Sequence, residues 1–185
     1  ILNNDIVNNT AGKQFSNTAN YTFNSVNNDV STQASGAPGA SGAITIAAPD
    51  LTMQKSGPAT MRLGVPGTFT LNAQNIGATT AWNVVLSDIL PNTTTPVGGM
   101  CASAPTGLTA RVYQADGVTP VSAALVNGTD FSVSFAPAPS CTLTINLLTP
   151  AAVVAPTQRL IVTYSALLDD GSVVLIVDVE DTVIL

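Results

Sequence analysis

The sequence predicts an all-β chain: a β-sandwich preceded by an extended arm that bears one strand. Three observations carry this expectation. The apolar pattern has a period of two, as in GTFTLNAQN, where Phe69, Leu71 and Ala73 fall on one face and Thr68, Thr70 and Asn72 on the other. Asp116-Gly117, Asn127-Gly128 and Asp170-Gly171 each stand between strand-like runs and supply the positive φ angles of tight hairpins. No stretch carries a convincing helical stripe.

Taken in order, SNTANYTF (16–23) reads as a short strand, with Phe15, Ala19, Tyr21 and Phe23 on one face. The stretch NSVNNDVSTQASGAPGASG (24–42) has almost nothing to bury, so it reads as a flexible linker. The expected division is therefore an arm with its linker over 1–42 and a sandwich over 43–185. Within the sandwich, LTARVYQ, FSVSF and CTLTINL alternate, while QRLIVTYSALL is apolar on both faces at its start, as a central strand would be. Prolines at 58, 66, 91, 120, 137, 139, 150 and 156 mark strand ends, where a missing N–H does least harm. Trp82, inside AWNVVL, is expected in the core.

Composition narrows the function. Of the 185 residues 45% are hydrophobic, enough for a sizeable core. Only 9% are charged and there is no histidine, so Asn, Thr, Ser, Gln and Gly must cover the surface. The net charge is −6 and Lys13, Lys55, Arg62, Arg111 and Arg159 are scattered, which argues against nucleic acid, whose phosphates need clustered bases. No apolar run approaches the ~18 residues of a membrane-spanning helix. With no signal peptide and a first residue, Ile1, that is not methionine, the expectation is a processed product or an excised fragment.

Cys101 and Cys141 are read as a disulfide, with two buried free thiols as the alternative. The chain-entropy estimate for such a loop is about 4 kcal/mol. Two cysteines without histidine partners do not make a zinc site. Low charge, many short Thr- and Val-rich strands and one cysteine pair together suggest secretion.

Catalysis is not expected. Without histidine there is no Ser-His-Asp or Cys-His machinery. The neighbours Glu180 and Asp181 would point to opposite faces of a strand, and Asp169 and Asp170 sit at a turn. No cofactor is implied. LDDG and NNDV offer oxygen ligands for Ca2+, yet nothing approaches an EF-hand spacing, and solvated turns are the simpler reading. A Lys–Asn isopeptide would need Lys55 or Lys13 beside an asparagine and a buried acid. Asn-x-Ser/Thr sequons at Asn8, Asn20, Asn92 and Asn127 are possible glycosylation sites.

From residue 49 onward the chain resembles a family of surface repeats, the domain of unknown function eleven, an immunoglobulin-like module of bacterial and archaeal surface proteins. The stretches that carry the resemblance are PDLTMQKSGPAT (49–60), GTFTLNAQNIG (67–77), AWNVVLSDILP (81–91), CTLTINLLTP (141–150) and RLIVTYSALLDD (159–170). It implies an immunoglobulin-like β-sandwich that serves as a stable spacer or building block. Family members end on a strand of the type F-x-N-T-A, and here that pattern stands near the start, at Phe15, Asn17, Thr18 and Ala19. ILNND (1–5) likewise resembles LLDDG (167–171). By residue type alone, Asn75-Ile76-Gly77 would turn the chain between strands, Asp88 would accept backbone N–H bonds in the turn before Leu90-Pro91, and Lys55 would lay its aliphatic stem over the sandwich edge.

The function expected from these readings is a non-enzymatic subunit of an extracellular, pilus-like filament. Phe15, Ala19, Tyr21 and Phe23 would enter a neighbouring copy as a donor strand. The alternatives are one repeat of a long surface adhesin or stalk, with the arm completing the preceding repeat, and a glycan-binding module. The partners implied are further copies of the chain, with a host surface or matrix as a further candidate.

Overall fold

The computed structural model describes residues 10–94 and 97–169, and the chain divides into two units between Ala48 and Pro49. The Asp170-Gly171 hairpin, the strand-like run after it and Asn8 lie outside the described residues. The fold is all-β. Among the described residues the only helical turns are two 3-10 turns, Val30–Thr32 and Pro150–Ala152.

The first unit is a β-ribbon. Its outgoing leg is β1 (Gln14–Phe15), β2 (Thr18–Ala19) and β3 (Thr22–Asn24), and its return leg is β4 (Gln33–Ser35), β5 (Gly39–Ala40) and β6 (Ile44–Thr45). β3 pairs with β4, β2 with β5 and β1 with β6, all antiparallel. The residues read as a flexible linker therefore form the tip and return leg of a ladder, which corrects that expectation. Local chemistry explains the turn: Asn28 takes a positive φ of 59° and Asp29 accepts from the Ser31 N–H at 2.9 Å and from its hydroxyl at 2.6 Å. Between Phe23 and Ala19 lie fewer residues than between their partners Ala34 and Gly39, and the same holds between Ala19 and Phe15. Each register slip thus places its extra residue on the return leg, and the outgoing leg keeps its alternation.

The second unit carries β7 (Leu51–Ser56), β8 (Gly67–Asn75), β9 (Val85–Ile89), β10 (Asn92–Thr94), β11 (Val97–Gly99), β12 (Thr106–Tyr113), β13 (Phe131–Ala136), β14 (Thr142–Leu147) and β15 (Arg159–Ala166). A four-stranded antiparallel sheet runs β12-β15-β8-β7 and a three-stranded one runs β13-β14-β9, with β10 and β11 as a small hairpin. Leu71, Leu160, Val162 and Tyr164 from the first sheet share one core with Leu86, Phe131, Leu143 and Ile145 from the second. Each such side chain stabilises the fold by roughly 1.5–3 kcal/mol. β15 lies between two strands, and its outward Ile161, Thr163 and Ser165 are half-buried, in keeping with its apolar start.

One local expectation changes. Gly117 does close a tight turn at φ +70°, and Gln114 accepts its N–H. Asn127-Gly128, in contrast, joins different sheets: Leu125 bridges Ala110 on β12, while β13 pairs with β14. Asn75 ends β8 and is fully buried, with every polar group matched. Its Nδ2 donates to the Thr79 and Val154 carbonyls at 2.8 Å each, and its Oδ1 accepts from the Asp50 and Gly77 N–H groups at 3.2 and 3.0 Å.

Candidate functional site

The ribbon has no residue classed as buried among residues 10–48. Phe15 faces Ile44 across the ladder, both of them exposed. Tyr21 stacks on Phe23 with ring centroids 6.4 Å apart, and a Cβ on Gly36 would fall 1.8 Å from Tyr21 Cζ, so the ring lies across that glycine. Ala19 is exposed as well. All four expected donor-strand residues are thus on an uncovered ribbon, already paired along one edge by the return leg.

On the second unit one open edge is that of β7, which pairs only with β8 among the described residues. Leu51, Met53 and Lys55 stand directly opposite Asn75, Ala73 and Leu71, so they share the core-facing side of the sheet. Yet Leu51 is 40% and Met53 50% exposed, and among the described residues the three-stranded sheet ends at β9. Among the described residues this leaves an open lane beside β9, apolar at Leu51 and Met53.

One polar group interrupts this lane. Lys55 Nζ lies 2.7 Å from Asp88 Oδ1 and 5.3 Å from the centre of the Phe69 ring. The other oxygen of Asp88 accepts the Tyr164 hydroxyl. Asp88 is only 7% exposed, so a lost partner would strand its charge. One expectation is corrected here: Asp88 sits in β9 and takes side-chain partners instead of capping a turn. Lys55, on the edge strand, turns its ammonium inward to that carboxylate.

Burial first, then the hydrogen bond to Asp88 and its negative charge, raise the Tyr164 hydroxyl well above its ordinary value. A raised folded-state value means that stability is fully present below pH ~10, where free tyrosine begins to ionise, and falls as pH rises beyond it. Urea unfolding at pH 8 and pH 11 should show a marked loss for the wild type and a smaller loss for Tyr164→Phe. Equal losses would contradict this account.

The remaining sites sort plainly. Cys101 and Cys141 form a disulfide with Cα atoms 5.2 Å apart. Close to it, Asp169 accepts the N–H groups of Cys101 and Ala102 at 3.0 and 2.8 Å, and its own N–H donates to Gly99. Asn20, Asn92 and Asn127 are exposed. Trp82 is 60% exposed, against the expectation of a core position. Its neighbour Ala81 takes the buried place through a two-bond bridge with Val154, which turns the next side chain outward.

No group of three or more His, Cys, Asp or Glu residues suited to a metal occurs among the described residues, and none of their helices is long and apolar enough to cross a membrane. No family model, curated protein or solved structure matches the chain.

Proposed function

We propose that this chain is a non-catalytic structural module of an extracellular filament, an immunoglobulin-like sandwich joined head-to-tail through its N-terminal ribbon. The outgoing leg adds a strand to a neighbouring copy, and Phe15, Ala19, Tyr21 and Phe23 are the side chains that the neighbour covers. One observation carries this reading: a ribbon whose Phe15, Tyr21 and Phe23 are exposed and which has no buried position, in a chain whose larger sheet leaves Leu51 and Met53 exposed among the described residues. Two-stranded ribbons are marginal alone and gain stability by docking on further strands. The disulfide is compatible with an oxidising compartment. A contact between two different surfaces does not close on itself and propagates.

Sedimentation of the full chain should show assembly that grows with concentration. Replacing Tyr21 and Phe23 by serine should weaken it roughly 10- to 100-fold, at about 25 cal/mol per Å2 of apolar surface and after ordering costs. Assembly unchanged by the substitutions would sink the proposal. The second reading is a tandem repeat, in which the ribbon completes a module earlier in the same polypeptide. The likeness of ILNND (1–5) to LLDDG (167–171) favours it. A chain that stays monomeric at high concentration supports that reading.

A further inference from the structure

We propose that Lys55 of one copy is joined to Asn17 of the next copy's ribbon by an isopeptide bond, with Asp88 carrying the protons. This rests on the ribbon-donation reading above and deepens it, because it turns a docked strand into a covalent link.

The acceptor side is assembled in the structure. Lys55 faces the core side of β7, opposite Leu71, in the lane that an added strand would occupy. Its amine is 2.7 Å from Asp88 Oδ1, and its side chain is still 32% exposed, so one flank is open to an incoming group. Tyr164 holds the second oxygen of Asp88, which fixes the carboxyl plane. Apart from this pair, the inward-facing residues of β7 are the apolar Leu51 and Met53.

The donor side has the matching pattern. The outgoing leg keeps its alternation, so the odd-numbered residues from Phe15 to Phe23 share one face, and Asn17 is the one residue of that face without an apolar body. A carboxamide carried into a lane among apolar side chains needs a polar partner there. The Lys55–Asp88 pair is the partner the lane supplies. Apolar residues beside Asn17 on the ribbon would meet Met53 and Leu51 beside Lys55 on β7.

The chemistry balances without an oxidant or a cofactor. Covering the lane removes water, and the charged pair relaxes to its neutral form as the ammonium passes a proton to Asp88. The free amine of Lys55 attacks Cγ of Asn17. Asp88 then gives that proton to the departing amide nitrogen and takes up the proton that the attacking nitrogen loses. The Nζ–Cγ bond forms, the Cγ–Nδ2 bond breaks, and one ammonia leaves for each link. Asp88 is the catalytic residue, because it touches the reacting amine. Tyr164 is a positioning residue acting through it.

The test uses the full chain, concentrated until sedimentation shows assembly, then boiled in detergent and digested for mass spectrometry. The wild type should give a ladder of covalent multimers, each link lighter by one ammonia, with a branched peptide joining Lys55 to Asn17. Asn17→Ala, Lys55→Arg and Asp88→Ala should abolish the ladder, and melting curves would show whether each variant is folded. Lys55→Arg keeps the ion pair, so it guards against a folding failure at Asp88→Ala. Asn17→Asp should restore the link, now with loss of water. Assemblies of the wild type that dissociate fully to monomers overturn the cross-link and leave strand donation standing. A branch from Lys55 to its own chain, or no branch, likewise overturns it. A chain that neither assembles nor carries the branch overturns both readings.

Discussion

Asn75→Ala is expected to destabilise the second unit by about 4 kcal/mol, since four hydrogen bonds at roughly 1 kcal/mol each are lost. The side chain is fully buried and ties the end of β8 to Asp50, Gly77, Thr79 and Val154. Asn75→Asp separates the hydrogen-bond account from simple packing. It conserves shape but replaces the Nδ2 donors with an oxygen that faces two carbonyls. Burial and those carbonyls raise the folded-state value of the new carboxyl, so its stability is greatest below pH ~4, the ordinary aspartate range, and is lost as pH rises. The aspartate variant should therefore unfold in less denaturant at pH 7 than at pH 4, relative to wild type at each pH. A flat difference between those two pH values would remove the electrostatic part of the argument.

The second large effect is expected at the disulfide. Cys101 and Cys141 close a loop with a separation of 40 residues, and the loop-entropy relation assigns it about 4 kcal/mol. For a chain of this size that corresponds to a fall in melting temperature of roughly 10 °C. The double variant Cys101→Ser/Cys141→Ser, or wild type held in reductant, should show it in a calorimetric scan. The Asp169 carboxylate bonded to Cys101 and Ala102 still tethers that segment after reduction, so Asp169→Ala should add to the loss by about 1–3 kcal/mol. Reduction that leaves the transition in place would mean that the bond contributes little to folding.

Much of the second unit is legible in the sequence because a strand's two faces are written every other residue. Phe69, Leu71 and Ala73 point inward as their alternation requires, and Leu160, Val162 and Tyr164 do the same on β15. The cysteine pair is legible from chemistry alone. The return leg of the ribbon was not, since Gln33–Ser35 and Gly39–Ala40 bury nothing and leave no periodic trace. Only the Asn28-Asp29 turn chemistry could have signalled it. Long-range partners were equally hidden. Nothing near Lys55 indicates that Asp88, 33 positions on, will meet its amine, or that Tyr164 will complete the group. Trp82 was misplaced because an apolar residue in an apolar run was assumed to point inward, and the bridge at Ala81 sets the opposite phase.

The two register slips of the ribbon also bear on what it avoids. Exposed strands invite indiscriminate edge-to-edge stacking, and an irregular edge is one of the ways proteins discourage it. Because both extra residues fall on the return leg, that edge is a poor template, while the outgoing leg remains a regular one. A ribbon built this way has a single sticky side. Two ribbons pairing through their regular edges would leave only irregular edges outside, so further stacking gains little, which biases the chain away from open-ended amyloid-like aggregation.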